Sequence, residues 1–356
     1  MNLNLSKIGI PLMLAACLML LSACGGNKST LPEANPTENV IVENETTEPI
    51  DEPAPPAYTS PLSGKPLDEP ITKRPLAVMI NNAPAARPQS GLNGADIVYE
   101  VLAEGGITRF IAIFHSGEEG AKIGPVRSIR PYMIDIGESY HGVLVHAGAS
   151  NDAFAIIQRQ HKEDLDEITN AGAYFWRDKS RKAPHNLYSN VEKLTEGALK
   201  RNYDMEDTNV PAYTFRSEDD SVEGAAANSV EVKFQLSNYL VTYEYDAETK
   251  LYKRYINGKP HNDLDTGEPI TATNVVILGA DHKVLDDVGR IEVNLEIGGK
   301  AVLLQRGKMI EGQWVRKSND VIRFVKDNEE IPFYPGTTYF NIVPNQPDFD
   351  SHIKVE

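Results

Sequence analysis

Between residues 58 and 216 the apolar positions come in short, β-branched runs bounded by Gly, Pro or Asn: 76–80, 97–102, 107–114 and 142–145. Runs of that length read as buried strands, and Glu104-Gly105-Gly106 between the second and third offers a hairpin turn, since glycine accepts positive φ. Three stretches change to a helical period. Ser150 ahead of Asp152, Phe154, Ile157 and His161 predicts a capped helix with an acid against the dipole. Ser189 and Glu192 form a capping-box pattern ahead of an apolar stripe at Val191, Leu194 and Ala198. A third helix is expected from Pro131 to Tyr140, with proline in its first turn. Strands mixed with helices predict an α+β or α/β domain with a mixed sheet over 58–216.

Residues 217–229 turn acidic and then small, and are expected to be a linker. Beyond them the runs at 230–236, 239–245, 251–256, 275–278, 291–297, 301–304, 313–316, 322–325 and 338–342 are strand-like, and Asn257-Gly258, Gly298-Gly299, Arg306-Gly307 and Pro335-Gly336 punctuate them. This pattern predicts a mostly β second domain over 230–356, a sandwich, roll or open barrel.

The first residues have a different logic. Lys7 is followed by an apolar stretch from Ile8 to Leu21 and then Leu21-Ser22-Ala23-Cys24-Gly25-Gly26. One base, a short apolar run and small residues are the layout of a secretory signal peptide, and the run falls short of the ~20 residues that cross a bilayer core. The end of it resembles the bacterial lipobox, in which the cysteine thiolate takes up a lipid. Residues 1–23 are therefore expected to be removed, leaving Cys24 lipidated, palmitate included, as a membrane anchor on the extracytoplasmic face. Residues 24–57 follow as an acidic, Pro-rich tether with a reach of roughly 30 Å on average and about 100 Å fully stretched. Cys17 leaves with the signal peptide, so the mature chain has no disulfide.

The 356 residues carry a net charge of −16, which argues against a nucleic-acid partner and means that lipid rather than surface charge must hold the chain at an anionic membrane. Against this background the stretch 122–134 stands out, with three bases and no acid. Arg127 and Arg130 precede Pro131, where free N–H groups of a helix N-terminus and two guanidinium forks suit a phosphate, pyrophosphate or carboxylate. The competing reading pairs both arginines with Glu100, Glu104 or Asp135 as structural ion pairs. Arg109 and His115 share a strand face with Ile111 and Ile113, and Arg87 and His185 lie in loops; each alone is better explained by loop anchoring through hydrogen bonds. The loop 174–182 mixes three aromatics with four bases, a composition that suits a wall glycopolymer or aromatics tucked into a core.

The combination Asn81-Asn82, Ala86-Arg87-Pro88-Gln89-Ser90-Gly91-Leu92, Ala95-Asp96-Ile97-Val98-Tyr99-Glu100, Glu104-Gly105-Gly106-Ile107-Thr108-Arg109-Phe110, Gly124-Pro125-Val126-Arg127-Ser128 and Pro184-His185-Asn186-Leu187-Tyr188 resembles the YerB-like lipoproteins, a domain-of-unknown-function family of mainly Gram-positive bacteria. The likeness extends to Gly312-Gln313-Trp314-Val315-Arg316-Lys317 and to the stretch from Pro335-Gly336 to Pro344. It implies a two-part fold and an envelope location, and brings no catalytic assignment.

Catalytic templates such as Gly-x-Ser-x-Gly, His-Glu-x-x-His and the P-loop are missing. No cofactor is expected, and no metal, since the spacing of His141 and His146 does not suit zinc. The favoured reading is a non-catalytic lipoprotein that binds an anionic wall polymer or an envelope protein. Arg127, Arg130, Arg109 and Arg87 are its anion-binding candidates, and His185, His115, Glu100 and Glu104 its further polar candidates. The alternatives are a wall transferase or hydrolase acting on a phosphate-bearing glycopolymer, and a pure protein-interaction module.

Overall fold

The structure, a computed structural model, describes residues 58–117, 120–235 and 237–356; the expected signal peptide, Cys24 and the expected tether fall outside the described residues. Five labelled strands come from the first half: β1 (Leu76–Asn81), β2 (Ile97–Glu104), β3 (Ile107–Phe114), β4 (Val143–His146) and β5 (Asp164–Asp166). β1 is buried at all six positions, as an apolar run without alternation requires of a strand covered on both faces. β2 and β3 form the expected hairpin, with Gly105 and Gly106 at φ 57° and 75°. Helix α1 (Pro131–Ser139) leads into β4, and α2 (Asn151–Arg159) leads into β5. These crossovers make β1, β4 and β5 mutually parallel.

Later strands are β6 (Ser229–Lys233), β7 (Leu240–Asp246), β8 (Leu251–Ile256), β9 (Asn274–Val284), β10 (Ile291–Asn294), β11 (Gly299–Gln305), β12 (Lys308–Val315), β13 (Arg323–Lys326), β14 (Thr338–Pro344) and β15 (Ile353–Val355). β14 lies between β9 and β2 and runs parallel to both, with Thr338 opposite Asn274 on one side and Ile97 on the other. One sheet therefore continues across both halves in the order β13-β12-β11-β9-β14-β2-β3-β1-β4-β5. β6, β7, β8 and β15 form a second, antiparallel sheet.

The fold is mostly β with a mixed sheet, and the expected division at 217–229 separates two sequence segments that share a sheet and a hydrophobic core. The second segment is not a self-contained sandwich, roll or barrel, because β9, β11, β12, β13 and β14 extend the first segment's sheet. All seven β14 residues are buried, so the strand needs partners on both edges, and β2 supplies one.

The helix ends follow side-chain capping. Ser150 Oγ accepts the Ala153 N–H at the start of α2. Helix α3 (Val191–Lys200) is capped one residue later than the Ser189 pattern suggested: Asn190 Oδ1 accepts the Lys193 N–H at 2.9 Å, while Ser189 Oγ donates to the Tyr174 carbonyl. α2 ends at Arg159, and His161 falls in a turn at φ 53° rather than on the helix.

Candidate functional site

In sheets with parallel strands, ligand crevices form outside the carboxyl ends of the strands. Here those ends are Asn81 of β1, His146 of β4 and Asp166 of β5. The segment 123–130 is laced across them: Arg127 N–H donates to Met79 O at 2.8 Å, Ala147 N–H to Arg127 O at 3.1 Å, and Asn81 N–H to Pro125 O at 2.8 Å. The Pro-His-Asn-Leu-Tyr loop joins from the other side through Val126 N–H to Leu187 O at 2.7 Å. Local sequence thus brings three loops to the end of β1.

Arg127 is half-buried, and its guanidinium makes no hydrogen bond or ion pair with any described residue. His185 lies within its field. Burial, and then Arg127 and Arg181, hold the His185 imidazole below its ordinary pKa, so the ring is neutral at neutral pH. Its Nδ1 is 3.0 Å from Asn81 Nδ2. Arg181 donates to Ala86 O at 2.8 Å, Pro88 O at 2.7 Å and Tyr188 Oη at 3.2 Å. Arg87 donates to Asn82 Oδ1 at 3.0 Å and Asn82 O at 2.7 Å, with its guanidinium 4.4 Å from the Tyr239 ring centroid. Among the described residues, none of these three arginines is paired with a carboxylate. Together with His185 they form a basic cluster, the basin, around the end of β1, with Glu100 acting on Arg87 and Asp178 and Asp265 acting on Tyr188.

Beneath the basin lies a buried polar network that joins the two sequence segments. Glu100 of β2 and Arg254 of β8 form an ion pair at 2.6 Å, with side chains 0% and 1% exposed. Glu100 also accepts from Thr108 Oγ1 at 2.6 Å, from Asn82 Nδ2 at 3.0 Å and from the Tyr239 hydroxyl. Arg254 donates to His261 Nδ1, and His261 Nε2 in turn donates to Gln89 Oε1 at 2.7 Å. That pattern requires a neutral ring, in keeping with a pKa driven well below normal by burial, Arg254 and Arg87. Burial alone would also lower the Arg254 pKa, but Glu100 and the surrounding tyrosines outweigh it and hold the side chain charged. Gln89 Nε2 closes the network on Asn81 O and Asn82 Oδ1.

The structure does not bring the two leading arginines together. Residues three apart in an extended segment point to opposite faces, and Arg130 pairs with Glu104 at 2.7 Å. Arg109 pairs with the same carboxylate at 2.9 Å and donates to Ser128 O at 2.7 Å. Burial raises the Glu104 pKa, but Arg109 and Arg130 together outweigh it and leave a net lowering. Arg130 lines a different cleft of about 620 Å³ with Asp135, Asp152, Arg290 and Arg316. Arg130 and Arg109 are thus ion-paired with Glu104, whereas Arg127 has no carboxylate partner among the described residues. Glu100 sits in the interior network. His115 is buried beyond the end of β3, with Nε2 2.8 Å from Lys73 O. In the aromatic and basic loop, Phe175 is buried, Tyr174 packs on α3 and Arg177 pairs with Glu167.

Sequence reasoning assigned no role to Asn81, Asn82, Gln89, Tyr239, Arg254 or His261. A signal existed for three of them: Asn81-Asn82 ends an otherwise apolar strand, and Arg254 falls on the inward phase of β8 with Tyr252. Among the described residues, no three His, Cys, Asp or Glu side chains are grouped to hold a metal ion, and no helix is long and apolar enough to cross a membrane.

The chain matches the family models described as "Protein of unknown function (DUF3048)", the N-terminal domain over residues 62–204 and the C-terminal domain over residues 230–340. It is 37% identical over 289 residues to YerB of Bacillus subtilis (strain 168), a candidate lipoprotein by name, with 80% of this chain and 86% of that protein covered. The crystal structure of YerB protein from Bacillus subtilis superposes with a TM-score of 0.76 at 36% identity, covering 84% of this chain and 99% of that one.

Proposed function

The chain belongs to the DUF3048 family, and on that premise we propose that it is a lipoprotein held by lipid on Cys24 at the extracytoplasmic face of the cell membrane, where it binds an anionic envelope component without transforming it. The observation that carries this reading is Arg127: a half-buried residue whose guanidinium has no acidic partner among the described residues, near a neutral His185, at the carboxyl ends of parallel strands. A guanidinium that no protein acid claims leaves its N–H donors for an anionic ligand. An acidic wall polymer fits this surface, being repelled by the rest of the chain and drawn to the basin.

The test is a pull-down of the full-length protein, in nonionic detergent, against its own envelope fraction, set beside Arg127→Ala and His185→Ala. Charge-assisted hydrogen bonds contribute about 1.5–3 kcal/mol, so Arg127→Ala should lower ligand recovery at least tenfold at limiting protein. Equal recovery from wild type and both variants would sink the reading. The retained ligand should come back chemically unchanged; a cleaved or transferred product would move the proposal to a wall enzyme in which His185 relays a proton.

A further inference from the structure

Phe154, Ile157 and His161, spaced in sequence along one helix face, line a second cavity together with residues from β4, β5 and the end of α3. Its volume of about 400 Å³ lies within the ~300–1,000 Å³ range of small-molecule sites. His146 at the end of β4 and Asp164 at the start of β5 meet on its wall. His146 is fully buried: Nδ1 donates to Gly148 O at 3.0 Å, and Nε2 stands 3.3 Å from Asp164 Oδ2 without a hydrogen bond. Asp164 Oδ2 also accepts Asn170 Nδ2 at 3.1 Å. Asp164 Oδ1 has no hydrogen-bond partner among the described residues, although the side chain is only 9% exposed. The neighbouring Asp166 differs, since Gly148 N–H, Ile168 N–H and Thr169 Oγ1 engage both of its oxygens. Asp164 therefore presents the cavity with an acceptor that the protein leaves open.

The rim supplies donors. Arg201 Nε donates to Tyr203 Oη at 2.7 Å, and its terminal nitrogens have no partner among the described residues; Lys162 pairs with Glu138 at 2.7 Å. These charges narrow the ligand class. An anion would meet Asp164 with Asp166 behind it, and a cation would meet Arg201 and Lys162. A neutral ring bearing hydroxyls avoids both penalties, because each hydroxyl donates and accepts at once, to Asp164 Oδ1 and from Arg201. Its C–H face suits Phe154, a half-buried aromatic on the cavity wall, whose ring face carries the negative part of its quadrupole. We propose that the cavity between α2, β5 and the end of α3 binds a neutral sugar ring, with Asp164 as acceptor, Arg201 as donor and Phe154 as apolar wall. The site shares no residue with the Arg127 basin and does not rest on the anion-binding reading.

The full chain, in a polyoxyethylene detergent that carries no sugar, is titrated at pH 6.5 with N-acetylglucosamine, glucose and galactose, and with glucosamine as the cationic comparison. Saturation-transfer NMR and calorimetry read the binding. At least one neutral sugar is expected to bind saturably, and glucosamine less tightly than N-acetylglucosamine. Asp164→Asn should weaken the bound sugar about tenfold, the loss that follows from removing one charge-assisted hydrogen bond. Asp164 is buried, so its replacement also tests the fold; Phe154→Leu and Arg201→Gln change side chains that reach the surface, and each should weaken binding several-fold with an unaltered circular dichroism spectrum. No saturable binding of any of the three neutral sugars overturns the proposal. Glucosamine binding as tightly as N-acetylglucosamine or tighter overturns the neutral class, and sugar binding unchanged in both Phe154→Leu and Arg201→Gln shows that the ring sits elsewhere and overturns the site.

Discussion

Replacing Glu100 by Ala removes the carboxylate paired with Arg254 and leaves a guanidinium 1% exposed, with the neutral His261 ring and the Tyr239 and Tyr243 hydroxyls beside it. Breaking a buried pair by deleting one partner costs about 3–5 kcal/mol, a large share of the ~5–15 kcal/mol that separates folded from unfolded protein. At ~2.1 cal/mol/K of unfolding entropy per folded residue the loss should lower Tm by roughly 5–8 °C. Glu100→Gln keeps the shape but not the charge and should cost nearly as much, whereas the double change Glu100→Leu, Arg254→Met removes both charges. It still strands Thr108, Asn82 and the Tyr239 hydroxyl, so it should recover part of the loss, about 2 kcal/mol or more relative to Glu100→Ala. The measurement is urea unfolding followed by far-UV circular dichroism at pH 7.5. A Glu100→Ala cost under ~1 kcal/mol, or a double variant as costly as the two single changes added together, would refute the reasoning.

The chain has two tryptophans, Trp176 in the first segment and Trp314 in β12; because the sheet is shared, Trp176→Phe and Trp314→Phe proteins should each give one fluorescence transition, coincident with the loss of circular dichroism in the same variant, and a tryptophan signal that changes apart from it would show that the segments unfold separately. The Glu104 pKa is lowered in the folded state, so its ion pairs stabilise the protein above the unfolded value near pH 4.3 and are lost as pH falls through the folded value; Glu104→Gln should be less stable at pH 7 and show a flatter acid limb in pH-dependent melting. His261 is held neutral with its pKa well below normal, so the unfolded chain takes up the proton first and stability declines as pH falls below about 6.5. His261→Asn should make the decline between pH 7 and 5 shallower, and an unchanged slope would show that His261 is not the group responsible.

Strand positions were legible because apolar runs with Gly, Asn and Pro at their ends leave few other options, and Asn257-Gly258 and Arg306-Gly307 take the positive φ values that their turns need. Partners were not legible. Nothing in the composition of Thr338–Pro344 says that it will lie between Ile97–Glu104 and Asn274–Val284, since period reports which face is buried and not which strand covers it. For the same reason Arg130 and Arg127 looked equivalent in sequence: both precede Pro131, and only the fold brings Glu104 to one and His185 to the other. Arg254 and His261 gave no cue of their partnership with Glu100 and Gln89, because those contacts join residues that only the shared core brings near.

Asn81 and Asn82 link the interior to the surface. At the end of an extended strand successive side chains turn to opposite sides: Asn81 reaches His185, and Asn82 reaches Glu100, Thr108 and Tyr239. Gln89 bonds to both asparagines and is itself held by His261. The basin is thus built from residues of the first segment, yet the peptide that orients it is fixed by Tyr239, Arg254 and His261 of the second. The second segment's Tyr239 packs against Arg87, and its His261 holds Gln89, which bonds to Asn81 and Asn82. A loop loses its freedom when its polar groups are all engaged, and the network engages them from below.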